Sequence, residues 1–317
     1  MYKLAATPRP LTLAQKYFST HVYATVKPVE LKNPILVTGS HRSGSTWVGR
    51  TIAKSPRLTY FHEPFNVNAS SKPWSLEFDL WFKHVPCESG VEHGIEKLFT
   101  PSLSQLIKRG IFEFDSVRDA IQLLRDNAFL FRHQITGSRA LIKDPIALLS
   151  AEWLEKAIGA RVVVMIRHPA AFAGSLKVKD WTFPFSHLLE QPRAIEKFFP
   201  DYREDIEHFS KNNKDIVDQA ALLWSLLYSA VDEYKRLHPE WIFLRHKDVV
   251  QHPTSTFRDI YYQLGLDFTD KIRKEIEKET DSSVVRNWTD RLTEKEIRRV
   301  KERTEPVAKA FYSNDEW

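Results

Sequence analysis

Pro34-Ile-Leu-Val-Thr-Gly-Ser-His-Arg-Ser-Gly-Ser-Thr-Trp47 is the stretch whose reading decides the fold. Pro34–Thr38 is a short apolar run rich in strand formers, stopped by Gly39. A helical pattern runs from Ser45 through Ala53 until Ser55-Pro56 stops it. Leu58-Thr-Tyr-Phe61 is a second strand candidate, ended by Pro64. A strand, a glycine-bearing turn, a helix and another strand make a βαβ unit.

The pattern recurs along the chain. Ala140–Ile142 reads as a strand, and Asp144-Pro145 supplies an N-cap and a proline at the first helical position. Arg161–Ile166 is a fully apolar parallel-strand candidate after its first residue, and His168-Pro169 opens the next helix. Ile216–Leu237 is a long helix, Trp241–Leu244 a fifth strand, and Thr254–Leu264 a helix ending at Gly265. Thr293-Glu-Lys-Glu296 is a capping box at the head of a charged helix. Five strands interleaved with helices predict one α/β, P-loop-like domain with a central parallel sheet flanked by helices. Residues 1–30 read as an N-terminal extension and 31–317 as the domain. Two aromatic- and histidine-rich stretches, about 66–138 and 178–215, fit no strand–helix repeat and read as insertions over the C-terminal edge of the sheet, where open α/β folds bind ligands.

Between the first strand and helix the loop is built for a phosphate. Glycine is scarce, 10 residues in 317, yet Gly39 and Gly44 fall within six positions of each other. Such a loop can wrap an anion with backbone N–H groups at the positive end of a helix. Ser43, Ser45 and Thr46 add hydroxyls, and Arg42 adds a guanidinium able to bind two oxygens. The segment follows G-x-x-x-x-G-K-[ST] except that Ser45 stands where the lysine belongs. In nucleoside-triphosphate enzymes that lysine reaches the outer phosphates, so a triphosphate–magnesium arrangement is disfavoured.

A second anion-binding pattern follows the apolar strand. Arg167 emerges at its end, and Ser175 lies eight residues on, about two turns into the next helix. Taken alone, Arg167 reads equally well as an ion-pair residue at a strand edge.

Composition narrows the classes. Hydrophobic residues make up 42% and charged ones 27%, as in a globular protein. Lys+Arg 46 against Asp+Glu 41 gives a net charge of +5, suited to an anionic ligand but without the dense basic stripe of a nucleic-acid binder. The single cysteine, Cys87, excludes an internal disulfide and any multi-cysteine zinc site, and fits a reducing compartment. No run approaches the roughly 18 apolar residues of a membrane span, and the first thirty residues lack a secretory h-region, so the expected location is the cytoplasm. The twelve histidines contain no H-E-x-x-H, and His84 and His93 have no metal-ligand spacing.

Arg42-Ser-Gly-Ser-Thr-Trp47 and Arg167…Ser175 together resemble the sulfotransferases that use 3′-phosphoadenosine-5′-phosphosulfate, across roughly residues 33–310. The carbohydrate and tyrosylprotein branches resemble it more closely than the small-phenol branch, because the loop cation is arginine. The resemblance implies that the loop residues Arg42, Ser43, Gly44, Ser45 and Thr46 hold the 5′-phosphosulfate. It implies that Arg167 and Ser175 hold the 3′-phosphate and that Trp47 lies against adenine, although Trp47 reads equally as a core aromatic. Arg286 would close over the 3′-phosphate from a late loop. No metal is required, and the acceptor would be a small molecule or carbohydrate, with no nucleic-acid partner.

Sulfuryl transfer to a hydroxyl or amine needs the donor held in line, the leaving phosphate stabilised and a proton removed. Arg42 and the loop amides serve the leaving phosphate. Phe61-His-Glu-Pro64 stands where the base belongs. The resemblance favours Glu63, with a carboxyl pKa raised by burial, and His62 is the runner-up because imidazole titrates near neutrality. Strand alternation points the two to opposite faces. The resemblance implies that Lys143 assists the sulfuryl oxygens, while Asp144 reads as an N-cap. Trp74, Phe78, Trp81, Phe82, Trp181, Phe183 and Phe185 are candidates to line the acceptor pocket, stacking on a sugar or enclosing an apolar group. Two other readings are a metal-dependent kinase or nucleotide hydrolase, and a non-catalytic nucleotide-binding protein.

Overall fold

Alternating side chains along five short strands feed two separate cores. The computed structural model describes residues 33–67, 76, 78–89, 95, 137–212, 214–279 and 288–317. Strands β1 (Ile35–Gly39), β2 (Leu58–His62), β3 (Arg139–Lys143), β4 (Arg161–Ile166) and β5 (Ile242–Arg245) form one parallel sheet in the order β2-β3-β1-β4-β5. Ile35, Val37, Leu141, Val163 and Met165 belong to one core, and Leu36, Ala140, Ile142, Val162, Val164 and Ile166 to the other. This period of two is what a parallel sheet covered on both faces requires.

The first core is closed by α1 (Ser45–Ile52) and, further along, by α8 (His246–Gln251), α9 (Pro253–Gln263) and α10 (Asp270–Glu279). The larger core lies under α2 (Ala151–Ile158), α3 (Pro169–Lys179), α7 (Ile216–Leu237) and α11 (Glu294–Ala308). Helix α7 is its pillar: Trp224, Tyr228 and Tyr234 are all wholly buried. Truncating an aromatic such as Trp224 to alanine removes about 3–5 kcal/mol of stability.

The expected elements are present with small shifts at their ends, and α11 carries the full Thr293–Glu296 capping box. The segment after Asp144 differs: Pro145–Ser150 winds as a 3₁₀ helix before α2 begins. Three helices, α4 (Ser186–Leu189), α5 (Pro192–Phe198) and α6 (Arg203–Lys211), occupy the 178–215 stretch. Helix α8 was not expected either. The extension 1–30, most of 66–138 (with Trp74 and His93) and Arg286 lie outside the described residues. Among the described residues, no helix is long and apolar enough to cross a membrane.

The chain leaves β1 for the β2–β3 side and returns for β4 on β1's other flank. The C-terminal end of β1 is therefore a topological switch point, where neighbouring connections diverge and leave a crevice. The parallel register sets Lys143 beside His62 and Val37, and Gly39 beside Met165, so the ends of β1 to β4 open into that crevice. Gly39, at φ 137°, approaches β4 so closely that a Cβ would sit 2.5 Å from the Met165 carbonyl oxygen.

Candidate functional site

At the crevice lies a cavity of about 1000 Å³. Its first wall is the loop after β1. Arg42 holds φ at 62° and Gly44 at 95°, left-handed values that turn the chain into α1. Arginine in that region carries strain, which the surrounding fold has to hold in place. Gly44 caps α1 without a side-chain hydrogen bond, leaving the first-turn amides available to an anion. A Cβ on Gly44 would meet His246 Cδ2 at 2.6 Å, so glycine is required by space as well as by φ. Arg42, Gly44, Ser45, Thr46 and Trp47 line the cavity. Ser43 does not; its hydroxyl is buried behind the loop without a hydrogen-bond partner. Trp47 lines the cavity and also packs edge-on against Phe257 at 5.5 Å.

Arg167 and Ser175 form the second wall. Arg167 is 8% exposed, its Nε has no hydrogen-bond partner, and among the described residues no carboxylate pairs with it. Burial lowers its guanidinium to about 10, so it stays charged at neutral pH. The ion-pair reading of Arg167 thus finds no partner among the described residues, and the orphaned Nε fits a phosphate brought by a ligand. The two cradles are not held apart: Arg42 Nε donates to Ser175 Oγ at 2.9 Å.

Buried Tyr228 of α7 fixes the relation between these walls. Its hydroxyl accepts from the Arg167 backbone N–H at 2.8 Å and shares a hydrogen bond with Ser40 Oγ at 2.9 Å. Trp224 Nε1 donates to the Arg167 carbonyl at 2.8 Å. One helix thus ties the loop after β1 to the segment after β4.

The third wall is a charged corner. Lys143, at the end of β3 and 1% exposed, is ion-paired with Glu63. Glu63 N donates to the Lys143 carbonyl at 2.8 Å, and Asn66 Nδ2 donates to Glu63 Oε2 at 2.8 Å. The expected rise of the Glu63 pKa does not occur. Burial pushes the carboxyl up, but the charge and hydrogen bond of Lys143, with the bond from Asn66, outweigh it and leave the carboxyl below its ordinary value. Glu63 also holds a left-handed φ of 49°. His62 does not line the cavity; its Nδ1 shares a hydrogen bond with the Tyr60 hydroxyl at 3.1 Å. The expected alternation does not separate the pair: Glu63 lies past the end of β2 at its left-handed φ, and His62 Nε2 comes within 3.9 Å of Glu63 Oε1. Asp144 is a cap, accepting from Phe65 N at 2.7 Å and Ile146 N at 2.9 Å, and burial pushes its carboxyl up to about 7.

Of the expected aromatics, Trp81, Trp181 and Phe183 line the cavity, whereas Phe78, Phe82 and Phe185 are core. Trp181 is 48% exposed, and the Arg42 guanidinium lies 5.8 Å from its ring centroid.

His41, Arg50, Asn66, His246 and Arg291 also line the cavity and were not singled out from sequence. For His41 the signal was its place inside the phosphate loop. His246 opens α8 directly after β5; burial and then the charge of Arg167 lower its imidazole to about 3.

A family model described as the sulfotransferase family matches residues 34–270. A search of curated proteins finds no match. Among solved structures the chain is similar to sulfotransferase STF9 from Mycobacterium avium, at 14% identity over 93% of this chain and 80% of that one, with a TM-score of 0.47. It is similar to the sulfotransferase domain of the Synechococcus PCC 7002 olefin synthase, at 16% identity over 90% and 98%, with a TM-score of 0.48. Sulfotransferase STF1 from Mycobacterium tuberculosis H37Rv gives 18% identity over 92% and 80%, with a TM-score of 0.44.

Proposed function

The chain belongs to the sulfotransferase family, and on that premise we propose that it moves a sulfuryl group from 3′-phosphoadenosine-5′-phosphosulfate to a hydroxyl or amine of a small-molecule or carbohydrate acceptor. The observation that carries the donor assignment is Arg167, a buried guanidinium without a carboxylate partner among the described residues, on the cavity that the phosphate loop also lines. A donor with phosphate at both its 3′ and 5′ positions supplies charge to both walls.

Arg42, the first-turn amides of α1, Ser45 and Thr46 would hold the 5′ end and take up the negative charge that grows on the leaving phosphate. Arg167, Ser175 and Arg291 would hold the 3′-phosphate, with Arg286 a further candidate. Trp47 would face the adenine. Lys143, whose stem passes Gly49 so closely that a Cβ there would lie 3.1 Å from Lys143 Cγ, is held where it can meet the sulfuryl oxygens. Glu63 keeps that lysine in place and supplies negative charge on the acceptor side. Sulfuryl oxygens carry less charge than phosphoryl ones, so donor binding needs no magnesium in this scheme. We assign 31–317 to one domain. The lone thiol of Cys87 favours a reducing compartment, the cytoplasm.

Calorimetry tests the donor assignment. Adenosine 3′,5′-bisphosphate should bind without magnesium and ATP should bind far more weakly. A preference for magnesium–ATP would favour a kinase or hydrolase instead. Binding with no transfer of radiolabelled sulfuryl groups to any acceptor in a broad panel would favour a non-catalytic role.

A further inference from the structure

Among the described residues, the transfer corner lacks an obvious base. Glu63 has one oxygen on Lys143 and the other on Asn66, and His62 lies off the cavity wall. Of the two imidazoles that line the cavity, His246 lies against Gly44 under the charge of Arg167, on the side proposed for the donor, which leaves His41. His41 sits in the phosphate loop directly before Arg42, half-buried against Phe172 (ring centroids 5.1 Å apart), Phe82 (5.8 Å) and Trp181 (6.2 Å). Its Nδ1 is buried with no hydrogen-bond partner, so Nε2 is the nitrogen left to meet a ligand. We propose that His41 takes the proton of the acceptor, and that it becomes an effective base only when the phosphosulfate of the donor lies against Arg42. This rests on the donor assignment above.

The charges around the ring supply the gate. The rings packed on His41 are uncharged, and among the described residues the charged groups that act on it are Arg42 beside it in the loop and Glu63 after β2. Burial first, and then the charge of Arg42, lower the imidazole to about 4, while Glu63 opposes them. An anion on Arg42 offsets the repulsive charge, but the attraction of Glu63 remains. The imidazole then gains basicity at the moment the group to be transferred is in place. In the step itself the acceptor O–H bond breaks and its proton goes to His41. The acceptor oxygen bonds to sulfur, and the sulfur–oxygen bond to the 5′-phosphate breaks with its electron pair leaving on the phosphate. Glu63 stabilises the imidazolium, and Arg42 the phosphate.

The test follows the His41 imidazole by NMR through a pH titration, with and without adenosine 3′,5′-bisphosphate, its resonance assigned by loss in H41N. The free protein should titrate near pH 4 at this ring, and the bisphosphate should move the midpoint upward by about one unit or more. A midpoint unchanged or lowered in the bound protein overturns the gate, while the measured binding leaves the donor assignment standing. Failure of the wild type to bind the bisphosphate removes both. H41N and H41Q should bind it within about 3-fold of wild type and release sulfate from the labelled donor to water at least ~10²-fold more slowly. Wild-type rates in either folded variant overturn the role of His41.

Discussion

The donor wall and the transfer corner of one cavity handle positive charge in opposite ways. Arg167 is buried without a carboxylate among the described residues, whereas Lys143, more deeply buried, is ion-paired with Glu63. The difference matches what each part would receive. A phosphate brings its own charge, so an unpaired guanidinium is kept for it at some cost to the empty fold. A hydroxyl or amine brings none, so the lysine beside it must be balanced from within.

The largest effect should come from the unpaired side. R167M should weaken adenosine 3′,5′-bisphosphate by roughly 100-fold or more in calorimetry, as charge-assisted hydrogen bonds are worth about 1.5–3 kcal/mol each. The same variant should raise the melting temperature of the ligand-free protein, because it removes a buried charge that no carboxylate among the described residues offsets. E63Q comes next. It should lower turnover by about 10²-fold while leaving bisphosphate affinity within about 3-fold, since it touches only the corner. K143M should then do to stability the reverse of R167M, lowering it by about 2 kcal/mol because a carboxylate is left without its partner. If R167M and K143M shift the melting temperature in the same direction, the contrast between the two walls is broken.

Acid sharpens the same contrast. Glu63 titrates below its ordinary value in the folded chain, so its ion pair contributes stability above the unfolded carboxyl pKa of about 4.5. That contribution should disappear as pH falls through the lower folded value. Denaturant midpoints measured from pH 7 down to pH 3 should therefore fall less in E63Q than in wild type. The smallest effect should be that of Y228F, about 1 kcal/mol in stability, with a several-fold loss of bisphosphate affinity as Ser40 and Arg167 lose their common hydrogen-bond partner.

Local pattern and long-range contact divide what was legible in the sequence. The strand–loop–helix of 34–53, the Arg167…Ser175 spacing and the Asp144 cap rest on neighbours in the chain, and all three stand in the structure where they were expected. Helix α8 begins one residue after β5 with a charged stretch, which hid its apolar contacts at Val249 and Val250. The aromatic and proline residues of 178–215 obscured three short helices. The sign of the Glu63 shift was misread because burial is suggested by the strand end, whereas Lys143 lies 80 positions away and only the β2–β3 register brings it close. Tyr228, His246 and Arg291 reach the site from α7, α8 and the segment before α11, and nothing near them in sequence points to a phosphate.

The central claim is that two walls of one cavity take the two ends of a single bisphosphate. Calorimetric comparison of adenosine 3′,5′-bisphosphate with adenosine 5′-monophosphate, in wild type and R167M, tests it most directly. Wild type should favour the bisphosphate by about 100-fold or more, and R167M should bring the two ligands to nearly equal affinity. Equal affinity of both ligands for the wild-type protein, or an undiminished preference in R167M, would contradict the account.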